Sequence, residues 1–300
     1  MSLIIIKRIW KAKMLTIKEI LSLSTEHLEN AGVKNAKRQA EEMIADSLEM
    51  RRLDLFMQYE RPLQSRELER CRDALKRRAL GEPLQYIRGK VDFFDCIIHV
   101  SSDVLIPRQE TEVLVDKMVG VISSEEKLDG KVLWDVCCGS GCIGIALKKR
   151  FPELRVVLSD LSAEALNVAR ENARLNEVDV EFLQGDLLAP FKGEKCDFFV
   201  CNPPYISETE YSELEIEVKG YEPKQALVGG ESGLEYFEVL ANNLSEHLTG
   251  SAKAWLEIGT GQGTALLRLF SKHSWRFSRV DEDWAGHERF FFLEKEDIFV

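Results

Sequence analysis

The spacing of apolar residues separates a helical N-terminal part from a longer part in which strands and helices alternate. Over residues 15–80, apolar side chains recur every three to four positions, and the segments end at glycine or proline. This pattern predicts a small helical bundle. Thr16 followed by Glu19 is typical of a capping box, and we expect Asn35 and Ser65 to cap two later helices.

The period changes to that of strands after residue 90. The β-type runs at Phe93–Val100 and Val104–Ile106 are separated by a polar segment, Ser101–Asp103, and Pro107 follows them. We therefore expect a β-hairpin with its turn at the polar segment. The predicted domains are a helical domain over 1–85, a hairpin linker over 86–107 and a larger domain over 108–300.

From residue 131 onward, apolar runs alternate with amphipathic segments. We expect strands at 132–136, 156–158, 180–183, 198–201, 254–258, 277–280 and 290–293. We expect helices at 143–150, 163–175, 234–248 and 264–272. Repeated β–α units favour the α/β class, with a mostly parallel sheet of about seven strands covered by helices on both faces. The last two strands lie close together in the chain, so we expect an antiparallel pair.

Glycines and acids follow three consecutive strands of this part. The first strand runs into a glycine turn at 137–141 before a helix, the second ends in Asp160, and Asp186 follows the third. Open α/β sheets bind ligands at the carboxyl ends of their strands, where a glycine turn lets a ligand approach the backbone and an acid accepts hydrogen bonds from ribose. This indicates a nucleoside site rather than ordinary turns. Its expected members are Asp135, Cys137, Cys138, Gly139, Ser140, Gly141, Asp160, Asp186 and Leu187.

A second glycine turn, Glu257–Gly263, also joins a strand to a helix. Only one further acidic strand end, Asp281–Asp283, follows it, and too few strands remain to build a nucleoside site. We therefore interpret this turn as a structural element, with the cofactor loop as its less favoured alternative.

The most specific motif is Asn-Pro-Pro-Tyr at Asn202–Tyr205, which follows the fourth strand. Two prolines fix their own φ and restrict the residue before each, so the turn is rigid. Asn202 offers an acceptor oxygen and a donor nitrogen, the Pro203 carbonyl offers another acceptor, and Tyr205 offers a flat apolar face. The set suits a planar amide or amidine −NH2 group, although a purely structural rigid loop would have the same residues.

Composition and charge limit the classes of function. The 300 residues are 45% hydrophobic and 30% charged, which excludes a collagenous or low-complexity chain and predicts two domains. A net charge of −11 argues against a protein that coats nucleic acid. Residues 1–80 hold 17 Lys and Arg against 12 Asp and Glu, a balance of +5, which leaves −16 for the remainder. Either a separate partner for the helical part or a solvated basic face accounts for this asymmetry.

The seven cysteines favour a reducing compartment. Their number is odd and Cys137 adjoins Cys138, so we expect free thiols and a cytoplasmic protein. Their spacing matches no zinc pattern, and no apolar run reaches the ~18 residues of a membrane span. The apolar start is followed by Lys7 and Arg8, unlike a signal peptide. Met14 is an alternative start, with 1–13 as an upstream extension.

The glycine turn, the strand-end acids and the Asn202–Tyr205 turn together resemble the class-I S-adenosylmethionine-dependent methyltransferases that modify planar nitrogens, over about 120–300. Further segments narrow the resemblance to the protein-(glutamine-N5) methyltransferases of peptide-chain release factors, over about 14–300. These segments are Gly81–Gly89 (Gly-Glu-Pro-Leu-Gln-Tyr-Ile-Arg-Gly), Leu105–Glu112 (Leu-Ile-Pro-Arg-Gln-Glu-Thr-Glu), Tyr221–Pro223, Ala226–Leu227 and His287–Arg289.

This resemblance implies a Rossmann-like methyltransferase sheet behind the helical bundle and hairpin. It implies that S-adenosylmethionine is the cofactor, with S-adenosylhomocysteine as product. The implied acceptor is the Gln side chain in the Gly-Gly-Gln motif of a release factor. Catalytic roles are implied for Asn202, Pro203 and Tyr205, substrate binding for these residues and Pro204, and a cofactor contact for Asn202.

One departure and two alternatives accompany the resemblance. The family's loop usually reads Asp-Leu-Gly-Thr-Gly-Thr-Gly, whereas Cys137 and Cys138 replace the first Gly and Thr here. Positive φ is costly at Cys137, because cysteine has a Cβ. The replacement therefore leaves the affinity for the cofactor open. The alternatives are a nucleic-acid adenine-N6 or guanine-N2 methyltransferase and a binding module that has lost catalysis. The net charge of −16 outside residues 1–80 disfavours the nucleic-acid methyltransferase, because negative charge repels phosphates. We therefore expect no direct binding of nucleic acid.

Overall fold

The computed structural model describes residues 14–272 and 275–295, which form two compact units. The first unit extends to Gly89 and also includes Ile216–Tyr221. The second comprises Lys90–Glu215 and the described residues from Glu222 onward. The break therefore follows Gly89, and the sequence pattern did not indicate the later segment. The expected extension over 1–13 falls outside the described residues.

Helices and strands are numbered here in chain order. The helices are α1 Ile17–Asn30, α2 Ala36–Ser47, α3 Arg52–Met57, α4 Ser65–Ala79, α5 Leu84–Arg88, α6 Gln109–Ile122, α7 Cys142–Arg150, α8 Ala163–Leu175, α9 Glu208–Glu213, α10 Ile216–Tyr221, α11 Glu235–Asn243 and α12 Gly263–Phe270. The strands are β1 Lys90–Phe93, β2 Cys96–His99, β3 Val132–Val136, β4 Arg155–Asp160, β5 Glu181–Gln184, β6 Cys196–Cys201, β7 Leu248–Glu257, β8 Trp275–Glu282 and β9 Glu288–Lys295.

The first unit is built on the shared apolar core of α1, α2 and α4, which includes Ile20, Ile44 and Leu75. The capping box of α1 is confirmed, since the Thr16 side chain accepts from the Glu19 N–H while the Glu19 side chain accepts from the Thr16 N–H. Asn35 is the N-cap residue of α2, as predicted, but it adopts a left-handed φ of 54° and its side chain makes no capping hydrogen bond.

The cap of α4 differs from the expectation by one residue. Gln64 is the N-cap, and Glu67 completes its capping box, so Ser65 is the first residue inside the helix. Farther along α4, Arg78 is buried with 4% of its surface exposed. Its guanidinium donates to Gln39 Oε1 at 2.6 Å, to the Glu82 carbonyl at 2.7 Å and to Glu217 Oε2 of α10 at 2.7 Å. These three acceptors allow a buried cation within a helical core.

The second unit contains a seven-stranded sheet of order β5-β4-β3-β6-β7-β9-β8. The pairs from β5 to β7 are parallel, whereas β9 is antiparallel to both β7 and β8. This confirms the predicted α/β class, the mostly parallel sheet and the antiparallel pair at the end. The chain order reverses direction between β3 and β6, which is where open α/β sheets form a ligand crevice.

Two boundaries differ from the sequence expectation. The hairpin pairs β1 with β2 around Phe94 and Asp95, both at positive φ, and not around Ser101–Asp103. The residues of 104–106 are buried or half-buried without joining a strand, so their apolar character reflects packing. In addition, β7 starts at Leu248, which pairs with Cys196 before a register shift, and so the expected helix ends earlier than 248.

The hairpin is held against α8 by two asparagines, one within the helix and one directly after it. Asn172 accepts from the His99 N–H at 2.7 Å and donates to the His99 carbonyl at 3.0 Å, and Asn176 makes the same pair of bonds to Ile97. Asn172 also donates to the Ser140 carbonyl of the glycine turn at 2.9 Å. One buried side chain therefore joins the hairpin edge to the turn that borders the site.

Candidate active site

The carboxyl ends of β3 to β6 surround one cavity of the second unit. It encloses about 1010 Å³ of space not filled by atoms, part of it open to solvent. The sequence-predicted residues that line it are Cys137, Cys138, Gly139, Ser140, Asp160, Asp186, Leu187, Asn202 and Pro204. The other predicted residues, Asp135, Gly141, Pro203 and Tyr205, lie behind or beside this wall. The structure therefore brings seven of the nine expected nucleoside-site residues and the start of the Asn-Pro-Pro-Tyr turn to one place.

The glycine turn between β3 and α7 is held by backbone geometry. Cys137, Gly139 and Gly141 all have positive φ, at 58°, 52° and 78°. A Cβ at Gly141 would lie 2.8 Å from Leu158 Cδ2, so only glycine fits there. A Cβ at Gly139 would meet no atom within 4 Å, which leaves the cavity wall open at that residue. Cys137, which stands where the family usually has glycine, takes a left-handed conformation. This conformation is costly for a residue with a Cβ.

Asp135 is a fully buried carboxylate behind the turn. Its Oδ2 accepts from the Gly144 N–H at 2.8 Å, whereas its Oδ1 has no hydrogen-bond partner among the described residues. Burial raises the pKa of Asp135 to about 7, and the charge of Asp160 adds to this shift while the Gly144 N–H opposes it. A buried oxygen with a free acceptor position suits a polar ligand group next to the turn.

Asp160 connects the turn to the next helix. Its Oδ2 accepts from the Gly139 N–H at 2.8 Å, and its Oδ1 accepts from the Ser162 N–H at 2.9 Å. Burial raises the pKa of this carboxyl group, and the backbone donors oppose the shift. Each oxygen keeps a second lone pair, so the residue can both hold the turn and accept from a ligand hydroxyl. Farther along the wall, Asp186 is exposed and Leu187 is buried at a φ of 44°.

The Asn-Pro-Pro-Tyr turn is enclosed by backbone from two later segments. A Cβ at Gly229 would lie 2.3 Å from the Pro204 carbonyl oxygen, and one at Gly233 would lie 2.3 Å from the Tyr205 carbonyl oxygen. Gln262 Nε2 donates to that Tyr205 oxygen at 2.9 Å. These close approaches fix the turn, and burial raises the pKa of the Tyr205 hydroxyl, which keeps it neutral.

The second glycine turn supports the Asn-Pro-Pro-Tyr turn. It does not border the cavity, since none of 257–263 lines it. Gln262 Oε1 accepts from the Gly259 N–H at 2.8 Å while its amide group donates to the Asn-Pro-Pro-Tyr turn. Glu257 is buried and accepts from Thr111 Oγ1 at 2.7 Å. The Asn202 side chain beside it opposes the rise in the pKa of Glu257 that burial causes. The sequence did not reveal this support. The pattern around the second glycine turn indicated only that the turn was unsuited to binding a nucleoside.

A third buried acid positions the rim of the cavity. Glu222 accepts from the Ile106 N–H at 3.1 Å and from Arg108 Nη2 at 2.5 Å. Arg108, Thr111 and Pro223 line the cavity beside the predicted residues. The sequence contained a signal for them, since they belong to the segments that carry the family resemblance, but no chemical role followed from those segments alone.

The described residues contain neither a metal-binding cluster nor a membrane-spanning helix. Within 14–272 and 275–295, no group of three or more His, Cys, Asp or Glu side chains is arranged to hold a metal ion. Among the same residues, no helix has the length and apolar character needed to span a bilayer. All seven cysteines are free thiols.

Comparison with known proteins identifies the family. Residues 19–89 match the family model described as the PrmC N-terminal domain, and residues 110–217 match the methyltransferase small domain. A release factor glutamine methyltransferase of Chlamydia trachomatis is 41% identical over 280 residues, which cover 93% of this chain and 94% of that protein. The chain belongs to the release factor glutamine methyltransferase family. Another member, from Geobacter sulfurreducens, is 34% identical over 93% of this chain and 96% of its own length.

Family membership confirms the resemblance stated from the sequence and the expectation of an S-adenosylmethionine-dependent methyltransferase. The fold is also that of a solved structure, the 16S rRNA N2 G1207 methyltransferase of T. thermophilus in complex with AdoMet and guanosine. It superposes with a TM-score of 0.51 at 14% identity, covering 69% of this chain and 50% of that one. The open wall at Gly139 and the free Oδ1 of Asp135 suit S-adenosylmethionine as the cofactor.

Proposed function

We propose that this chain transfers the methyl group of S-adenosylmethionine to the side-chain amide nitrogen of the Gln in the Gly-Gly-Gln motif of a peptide-chain release factor. The observation that carries the proposal is the position of Asn202. It follows β6 as a half-buried residue of a rigid turn and lines the same cavity as the glycine turn of β3. Methyl donor and amide acceptor can therefore meet at one strand edge.

The chain's own residues act by positioning. The Asn202 side-chain oxygen and the Pro203 carbonyl oxygen accept hydrogen bonds from the substrate −NH2 group, which favours a pyramidal nitrogen with its lone pair directed at the methyl group. Tyr205 packs against the amide plane. The bound cofactor supplies a methyl group already activated on a sulfonium, so alignment of donor and acceptor is the main requirement. After transfer, the nitrogen loses its extra proton to solvent.

Cofactor binding is assigned to the three strand ends. Asp160 is proposed to accept from the ribose hydroxyls with the lone pairs that Gly139 and Ser162 leave free. Asp186 is proposed to accept from the adenine amino group, with Leu187 beside it. The turn from Asp135 to Gly141, including Cys137, Cys138, Gly139 and Ser140, forms the rest of the proposed cofactor wall.

The helical unit is proposed to dock the body of the release factor. It carries the positive balance of the chain and no group assigned to the chemistry. Three apolar side chains of α3 are also exposed, with Met57 84% and Leu53 69% accessible. Single exposed apolar residues are normal on a protein surface, whereas a group of them is typical of an interaction site. Contacts remote from the reacting amide can supply binding energy that positions it. We further propose a cytoplasmic location and no direct binding of nucleic acid.

The test is Asn202→Ala, assayed on an intact release factor with radiolabelled S-adenosylmethionine. Loss of a positioned hydrogen-bond partner at the reacting centre should lower turnover by ~10²-fold. Cofactor affinity, measured by calorimetry, should stay within a few-fold. Asn242→Ala, on the exposed surface of α11, is the matched control and should behave as wild type.

Two further arms decide between functions. DNA and RNA replace the release factor in the same assay, and methylation of nucleic acid by the wild-type protein at a comparable rate would favour the alternative amino-methyltransferase. A release factor with its Gly-Gly-Gln glutamine replaced should accept no label. Cofactor binding by a wild-type protein that methylates none of these substrates would instead indicate a binding module.

A further inference from the structure

The strongest feature that the proposed function leaves unused is Glu257. This residue is 2% exposed and lies at the end of β7, beside the end of β6. Cys201 pairs with Leu256 in the parallel register, so the next residues, Asn202 and Glu257, are neighbours across the two strands. The Asn202 side chain beside this carboxyl group favours its ionised form, and Thr111 of α6 donates to its Oε2 at 2.7 Å.

The orientation of the Asn202 amide is a chemical choice that this contact decides. A primary amide presents an acceptor oxygen on one side and a donor −NH2 on the other, and a half-turn about the last bond exchanges them. An ionised carboxylate only accepts hydrogen bonds, so it holds the −NH2 side of Asn202. The oxygen of Asn202 is then left to accept from a substrate −NH2 group.

We propose that Glu257 is a positioning residue that selects the productive amide orientation of Asn202, with Thr111 fixing the carboxylate in turn. The inference rests on the proposed function, because it gives the Asn202 oxygen an amide acceptor to bind. It extends that function to a residue that does not line the cavity.

The protonation state of Glu257 gives the proposal a measurable signature. The groups that face it are Thr111 and Glu110 of α6, Arg289 of β9, and Asn202, with Tyr205 and Cys142 nearby. Burial raises the pKa of Glu257 to about 7; the hydrogen bond from Thr111, the neighbouring Asn202 amide and the charge of Arg289 oppose the shift, and Glu110 adds to it. A protonated carboxyl group can donate to the Asn202 oxygen and hold the opposite amide orientation. Turnover should therefore fall as pH decreases through about 7.

The experiment measures kcat, KM and the pH profile of Glu257→Gln on an intact release factor. Gln at this position can offer either its oxygen or its −NH2 group to Asn202, so neither orientation is selected. We expect kcat to fall by about tenfold, the scale of one hydrogen bond, and the pH dependence near 7 to disappear. Cofactor affinity should stay within twofold, and Glu246→Gln on the exposed surface should match wild type.

Thr111→Val is the second variant, for the case that Glu257→Gln does not fold. It removes a donor that favours the ionised carboxylate, so the pH midpoint of turnover should move upward. A wild-type pH profile in either folded variant would overturn the positioning role. That result is distinct from failure of the proposed function, in which the wild-type protein itself would not methylate the release factor.

Discussion

At the scale of single residues, Cys137 shows how a side chain can occupy a backbone position that favours glycine. Its φ of 58° lies in the left-handed region, which costs a residue with a Cβ about 1–2 kcal/mol. The residue is only half-buried at the cavity wall. The turn around it keeps this conformation because Cys138, Gly139 and Gly141 are each fixed by hydrogen bonds or close contacts.

The prediction for this residue compares two small replacements. Cys137→Gly should have a higher free energy of unfolding than Cys137→Ala, by about 1 kcal/mol, because only glycine is free of the left-handed penalty. Urea denaturation followed by tryptophan fluorescence measures the difference. Ala146→Gly is the control with the opposite sign, since Ala146 lies within α7, where glycine destabilises. Equal stability of the two Cys137 variants would refute the idea that this position is strained.

At the scale of elements, the acceptor turn depends on segments that come later in the chain. The backbone of 227–229 pairs with Ile206, and Gly229 faces the Pro204 carbonyl with no room for a Cβ. Gln262, from the turn before α12, donates to the Tyr205 carbonyl. The rigidity of the turn is therefore only partly a property of its prolines.

Gly229→Ala tests this support. The added Cβ would lie 2.3 Å from a backbone oxygen, so the turn must shift. We expect a loss of about 1–3 kcal/mol of stability and a fall in turnover of about tenfold or more, the scale of a misplaced reacting group. Thermal unfolding and the methylation assay report the two effects. Gly120→Ala is the matched control, since α6 has space for that Cβ, and this variant should gain about 0.5–1 kcal/mol of stability. Full activity in Gly229→Ala would show that the turn needs no such support.

The sequence predicted those parts of the site that follow directly from local pattern. The alternation of strands and helices, with an acid or glycine at each strand end, was enough to place Asp160 and Asn202 at one edge of the sheet. The contact between Thr111 and Glu257 spans 146 residues of chain. Which strand pairs with β6 and which helix covers that pair are set by tertiary packing, so no local pattern could reveal this contact.

At the scale of the whole molecule, charge separates the two parts of the chain, but not every basic residue of the helical part is available to a partner. Arg78 is buried and each of its three guanidinium nitrogens donates to Gln39, Glu82 or Glu217, and Arg77 pairs with Glu82. Arg66 and Lys76 of α4 are exposed and are better candidates for contact with an acidic surface.

Charge reversal at Arg66 and Lys76 tests the docking role of the helical unit. The double replacement by Glu should lower kcat/KM on the intact release factor, with an effect that shrinks as salt concentration rises. A short Gly-Gly-Gln peptide should be a poor substrate that does not respond to the change. Lys192→Glu, on the exposed surface of the second unit, controls for net charge. An undiminished rate on the intact factor at low salt would remove α4 from the docking surface.

The route of the chain through α10 has a consequence for synthesis on the ribosome. Glu217 completes the set of acceptors around Arg78, yet the two residues are 139 positions apart. Translation at roughly 5–20 residues per second needs roughly 7–30 s to add that length. During that time the first unit lacks α10, and the guanidinium of Arg78 lacks its carboxylate. The N-terminal unit therefore cannot reach its final structure first, and completes it only after most of the methyltransferase sheet has been synthesised.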